Sequence, residues 1–248
     1  MKKQGWALIL ITLLFSKSAL CELLVYPYRA TLDPQNKSLE IKITNNGKTS
    51  EQYRLSLIQR EIINGSWENV SQTPAHSAKN LIKFSPKTTT LAPGQTQTVR
   101  IFAKNFKGVR SLEKRSHLLI RQQPKSDEAV QLSEDAIGGT VSLLYGVSIP
   151  VIVRGNDEGT SAQISAISNQ NTVEVTLNRS GPHSLHGSLT AIDNSGNVIG
   201  KLQDISVHVP YSSEQFLIDI KNPSAPKPWS LEYSDLDGRD ISARVQIP

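Results

Sequence analysis

Residues suited to covalent or metal chemistry are sparse in this 248-residue chain. Of its histidines (His76, His117, His183, His186 and His208), His183 and His186 come closest to a ligand pair. They stand three apart in a Gly/Pro/Ser-rich stretch with no cysteine or carboxylate motif beside them, so they read as loop histidines. The chain has no Gly-x-Ser-x-Gly elbow, no glycine-rich phosphate loop and no Cys–His pair, and its carboxylates are dispersed. Neither an enzyme, nor a cofactor, nor a small-molecule substrate is expected. What the chain offers is the binding chemistry of a strand. Val141, Leu143, Tyr145, Val147 and Ile149 recur at every second position, which lines one strand face with large apolar side chains. The run ends at Pro150, which cannot donate to a ladder and suits a sheet edge or a strand end. An apolar edge is an aggregation hazard unless something covers it. The stripe is therefore either an inner strand of a sandwich or an edge covered by another protein.

The elements around it are strands. Leu39–Thr44, Tyr53–Ile58, Gln97–Ala103 and Ser116–Arg121 alternate apolar and polar residues between turn signals such as Asn64-Gly65 and Ala92-Pro93-Gly94. After Gly155 the pattern resumes over 162–167, 172–177, 188–192, 205–209, 216–220, 230–233 and 241–247, with a hairpin turn at Asn194-Ser195-Gly196. Two sets of about seven short strands predict an all-β chain of two immunoglobulin-like sandwiches in series, 22–154 and 155–248, joined near Arg154-Gly155-Asn156-Asp157. The polar loop 122–140 leads straight into the apolar stripe, and loops of that length are commonly functional.

Lys2 and Lys3 precede an apolar run, Ala7 to Phe15, and small residues at Ala19 and Cys21, which predicts a signal peptide over 1–21 and export. Cys21 is the only cysteine, so the exported part would hold itself by hydrophobic burial without disulfides, as suits a bacterial periplasm. Residues 22–154 carry 18 Lys and Arg against 11 Asp and Glu, a net +7, and residues 155–248 carry 6 against 11, a net −5. A basic half and an acidic half suggest two domains with different jobs. The basic residues are scattered, so nucleic acid is not an expected partner.

Several segments resemble the periplasmic pilus chaperones of the chaperone–usher pathway: Tyr28-Arg29-Ala30-Thr31, Phe84-Ser85-Pro86-Lys87, Leu91 to Ile101 with its Pro-Gly turn and Gln-x-Val-Arg-Ile pattern, Arg115 to Pro124, and Ile149 to Arg154. Weaker likenesses fall at 175–182 and at Tyr233-Ser234-Asp235-Leu236-Asp237-Gly238. The resemblance spans residues 22–248 and implies two immunoglobulin-like domains in a boomerang arrangement. It also implies a chaperone that lends a strand to an incomplete fibre subunit and hands the subunit to an outer-membrane usher, a form of strand addition. The donor side chains would be Val141, Leu143, Tyr145 and Val147. Arg29 would grip the subunit's terminal carboxylate through two parallel hydrogen bonds. The family's second basic anchor falls here on Pro150, a departure for which Arg121, or Arg100, is the substitute. Arg154 would make the interdomain salt bridge, with Asp235 as its partner and Asp237 also within the motif. Partners implied are pilus or fimbrial subunits, the usher, and a second copy of the chain as a self-capping dimer. The alternative is a secreted two-domain adhesin or structural pilus component.

Overall fold

The structure, a computed structural model, describes residues 22–109, 112–124, 144–156 and 159–248. The expected signal segment, the donor positions Val141 and Leu143, and most of the 122–140 loop lie outside the described residues.

Among the described residues the first half contains ten strands: β1 (Leu23–Tyr26), β2 (Ala30–Leu32), β3 (Ser38–Asn45), β4 (Glu51–Ile63), β5 (Ser66–Val70), β6 (Ile82–Ser85), β7 (Thr88–Leu91), β8 (Thr96–Ala103), β9 (Lys114–Gln122) and β10 (Gly146–Val153). They form two sheets, one ordered β1-β3-β8-β6 and the other β2-β10-β9-β4-β5, with β7 also on β4. The alternation in the sequence explains the layering. Ile41 and Ile43 of β3, Val99 and Ile101 of β8, and Leu118 and Ile120 of β9 are buried in one cluster between the sheets. Each such side chain contributes roughly 1.5–3 kcal/mol by leaving water.

The second half contains seven: β11 (Ser161–Ser168), β12 (Thr172–Ser180), β13 (Leu185–Ile192), β14 (Val198–Val207), β15 (Ser213–Asp219), β16 (Trp229–Asp235) and β17 (Ser242–Ile247). Sheets β11-β12-β15 and β14-β13-β16-β17 enclose a separate core around Trp229, Leu231, Tyr233 and Val175. All the regular elements among the described residues are strands, arranged as the two immunoglobulin-like sandwiches that the sequence predicts.

Two hairpins close as their turn residues require. Asn64 and Gly65 both take positive φ, 53° and 78°, between Ile63 and its partner Ser66. At the other, Asp193 Oδ1 accepts the N–H groups of Ser195 and Asn197 while Gly196 takes φ 86°. The strand read over 141–149 differs in its bounds: the described strand begins at Gly146 and runs through Pro150 to Val153.

Candidate functional site: a half-free strand edge and the cleft beside it

β10 has two edges with different fates. Along one, all eight residues pair with β9, from Gly146↔Arg121 to Val153↔Lys114. Along the other, only Val151, Ile152 and Val153 pair, with Ala30, Thr31 and Leu32 of β2. The edge from Gly146 to Pro150 thus meets no second strand among the described residues. The face of β10 is graded in the same direction. Val153, Val151 and Ile149 are fully buried, Val147 is half-buried against the same core, and Tyr145, next on that face, is 46% exposed. The apolar row runs off the end of its own core.

β2 is short because the chain changes sheets before it. β1 pairs with β3 as far as Tyr26. Pro27 has no N–H with which to continue a ladder, and pairing resumes in the other sheet at Ala30. Tyr28 and Arg29 fall in the crossover, facing the second sandwich. Arg29 Nη1 donates to Ser206 Oγ at 3.3 Å, and Nη2 lies 3.9 Å from Asp237 Oδ2. The side chain is only 11% exposed, yet its Nε and Nη2 make no hydrogen bond among the described residues. Burial lowers the guanidinium's pKa, and the Asp237 and Glu113 charges oppose that only in part. Arg29 lines a cleft of about 1100 Å³ together with Tyr26, Tyr28, Pro150, Phe216 and Leu236.

Arg154 follows β10 and is held by its N–H to Leu32 O at 3.0 Å. Its Nη2 meets Asp237 Oδ2 at 2.9 Å, so the interdomain salt bridge forms with Asp237 and not with Asp235. The reason is the turn after β16. Asp235, its side chain fully buried, accepts the N–H groups of Asp237 and Arg239 and pairs with Arg239 Nη2 at 2.6 Å, which ties it into its own loop. Asp237 is the residue left to face the first domain. Burial works to raise its pKa, but the hydrogen bond from His186 Nδ1 at 2.7 Å and the charges of Arg29 and Arg154 outweigh this and hold it well below the usual carboxylate range. His186 is thus not a loop histidine: it lies in β13 and orients the bridging carboxylate.

A second seam holds the domains beside this bridge. Trp67 takes His117 and His208 edge-on at 5.5 and 5.4 Å, and the Arg115 guanidinium lies 4.7 Å over its ring. Arg115 Nη1 also donates to Val209 O at 3.1 Å. Tyr211 Oη donates to Glu61 Oε2 at 2.9 Å and accepts Ile62 N–H at 2.8 Å. None of this seam was singled out from sequence, because its residues are isolated aromatics and histidines on different strands.

The remaining candidates lie elsewhere. Arg121 is exposed and stands opposite Gly146, while Arg29 precedes the residue opposite Val151. Arg29 thus stands level with Pro150, four residues along β10 from Gly146 and roughly 13 Å away at a strand's rise, so the two arginines are not brought together. Arg100 pairs with Glu40 at 3.0 Å on an open surface.

No family model and no curated protein matches the chain. Solved structures do. A chain from the CsuC–CsuE chaperone–tip adhesion subunit pre-assembly complex of archaic chaperone–usher Csu pili of Acinetobacter baumannii aligns with a TM-score of 0.51 at 18% identity, over 92% of this chain and 98% of that one. The E. coli chaperone DraB aligns with a TM-score of 0.51 at 12% identity, over 91% and 95%. The Pseudomonas aeruginosa CupB2 chaperone gives 0.50 at 13%, over 91% and 100%. Over about nine-tenths of the chain, the two sandwiches and their order make this the two-domain immunoglobulin-like fold seen in the chaperone–usher pilus chaperones.

Proposed function

We propose that this chain is a periplasmic chaperone, not an enzyme, that binds and caps an incomplete fibre subunit by lending it the free edge of β10, and then delivers it to an outer-membrane usher. The observation that carries the reading is the grading of β10, whose unpaired edge and outward-running apolar face coincide over the same residues. Strand addition needs both: main-chain groups to pair, and alternate side chains to fill the partner's groove. The donor residues are Val141, Leu143, Tyr145 and Val147, with Val147 at the rim of the chain's own core and Tyr145 beyond it. Each plug that becomes fully buried adds roughly 1.5–3 kcal/mol, less the cost of ordering the segment.

The terminal carboxylate of the client is assigned to Arg29. Its buried, unbonded Nε and Nη2 form one edge of the guanidinium, the geometry that binds a carboxylate in parallel. Arg121, opposite Gly146, flanks the donor segment and does not serve as a second grip on the same carboxylate. The same free edge would also serve a second copy of the chain in the absence of client. That the fold recurs in a chaperone–tip adhesion subunit complex supports the reading.

The test is co-purification from the periplasm with fibre subunits encoded beside this chain, comparing wild type with Tyr145→Glu. A stoichiometric complex that the folded variant loses supports strand donation. Equal capture by both would remove β10 as the donor and bring the adhesin reading forward.

A further inference from the structure

The outer face of the sheet that contains β10 carries a charge arrangement the chain does not balance. Arg54 of β4 and Arg121 of β9 are direct cross-strand partners, and both are exposed. Direct partners share a face of the sheet, and like charges set opposite one another destabilise it. Neither guanidinium makes an ion pair or a hydrogen bond among the described residues. The exposed Arg100 on the other sheet, by contrast, has Glu40 at 3.0 Å. The row of Arg54 and Arg121 continues to Gly146, where the unpaired edge of β10 begins. Farther along the same face, Arg60 Nη1 donates to Ser148 Oγ at 3.0 Å, so the face beside the free edge is basic over its length.

Gly146 leaves the path to the edge open. A Cβ there would lie 3.4 Å from Leu119 Cδ1 and 3.7 Å from Arg121 Cγ, both ordinary contacts, so the chain's own packing does not require a glycine. Glycine inside a strand commonly marks the close approach of another backbone. The Arg121 stem already runs beside Gly146, with Arg54 repelling its charge from the other side.

We propose that this row selects the client: the strand that adds to β10 carries an Asp or Glu in register with Gly146, and Arg121, backed by Arg54, binds that carboxylate. The inference rests on the strand donation proposed above and adds a charge requirement at one register position. It concerns a side chain within the client strand, on the outer face of the sheet, and not the terminal carboxylate assigned to Arg29. Geometry and charge agree. Strands lie about 4.8 Å apart, so the client residue beside Gly146 stands two spacings, about 10 Å, from Arg121, with no side chain between them. A long arginine stem and an acidic side chain close that gap, and a guanidinium takes a carboxylate through two parallel hydrogen bonds. A Lys or Arg at the same client position would meet both arginines and be rejected.

The probe is the fibre subunit that wild type captures in the test above, and the readout is the dissociation rate of its complex in a chase with excess unlabelled chain. Arg121→Gln is expected to release the subunit about tenfold faster, the scale of one charge-assisted contact. Arg100→Gln should leave the rate unchanged. Charge exchange then finds the carboxylate: with each Asp and Glu of the subunit changed in turn to Lys, one such subunit should be held longer by Arg121→Glu than by wild type. In the free protein Arg121→Gln should melt at or above wild type, since it removes one of two opposed like charges. Equal release by wild type and Arg121→Gln, or no acidic position that responds to exchange, overturns the charge requirement. A lower melting point for Arg121→Gln overturns it too, because Arg121 would then be paired within the chain. In each of these cases strand donation still stands on the loss of capture by Tyr145→Glu. If wild type captures no subunit, both fall.

Discussion

Arg154 Nη2 and Asp237 Oδ2 meet at 2.9 Å across the domain junction, with their side chains 9% and 10% exposed. Arg29 Nη2 approaches the same oxygen at 3.9 Å, so one carboxylate serves two buried guanidinium groups. Replacing it strands both. Asp237→Asn is expected to destabilise the protein by about 3–5 kcal/mol, the range for breaking a buried pair by removing one partner. Adding Arg154→Met to Asp237→Asn should recover part of the loss, because one stranded charge is then gone. Urea unfolding of the three proteins measures it. A cost below about 1 kcal/mol for Asp237→Asn would mean that the arginines reach water without it.

Acid should weaken the junction before it reaches the carboxylates. Burial, with the Arg115 and Arg60 charges, lowers His117 to about 3. Burial, with Arg29 and Arg115, also puts His208 well below its ordinary value. Both are neutral in the folded protein but take up a proton below about pH 6.5 once unfolded. A histidine depressed in this way gives stability that is intact above pH 6.5 and lost as pH falls toward 3. The loss is at most about 1.4 kcal/mol per pH unit for each histidine. Asp237, depressed by His186 and its two arginines against the effect of burial, loses its share only below about pH 4. Denaturant midpoints at pH 7.5, 6 and 5 should therefore fall steadily, and His117→Asn/His208→Asn should flatten that fall. A flat wild-type profile from pH 7 to 5 would contradict the assignment.

The parts of the fold that were legible are the one-sided strands. Leu39-Glu40-Ile41-Lys42-Ile43 declares β3 because water takes every second side chain. β5, Ser66–Val70, and β7, Thr88–Leu91, gave no such signal, since neither buries a regular face. Asp235 and Asp237 could not be told apart by spacing. Their roles are divided by which one the turn uses for its own N–H groups, and that is settled by backbone geometry. His186 was misread because Gly, Pro and Ser before it signal a turn, while β13 begins one residue earlier, at Leu185. The exposed edge of β10 was suspected from an apolar run that ends in proline, but its length depends on where β2 stops, which no local pattern records.

Tyr211 couples the domains through one hydroxyl that serves two groups of β4, Glu61 Oε2 and Ile62 N–H. Tyr211→Phe should cost about 1–2 kcal/mol, since it leaves part-buried polar groups short of a partner. The effect should concentrate at the junction, so limited proteolysis near residues 155–160 should quicken more than global stability falls. Unchanged cleavage would show that the Trp67 and Asp237 contacts hold the domains without it.

His186 depends on close approach of β13 to β16. A Cβ on Gly187 would stand 2.3 Å from Ser234 O and 2.4 Å from Tyr233 Cε2. Both belong to the partner strand, in register at Gly187↔Asp235. Gly187→Ala should destabilise the second domain by about 1–3 kcal/mol through overpacking. It should also move His186 from Asp237, which a shift of the His186 imidazole NMR signals would report. Wild-type stability and unshifted signals would mean that the strands separate without strain.

Pro150, the position at which the resemblance read from the sequence would put a lysine, lines the same cleft as Arg29. Pro150→Lys would restore an N–H to β10 and place an ammonium near Arg29, with His117 directly opposite on β9. In the free protein the added cation lies beside the buried Arg29 guanidinium, with only a neutral His117 opposite, so stability should fall by about 1 kcal/mol. In the complex the same cation would share the client carboxylate with Arg29, a charge-assisted contact. The variant should thus hold its client several-fold longer in a competition chase while melting lower alone. If the complex lifetime is unchanged or shorter, the client's carboxylate does not lie beside residue 150, and Arg29 alone would have to carry it.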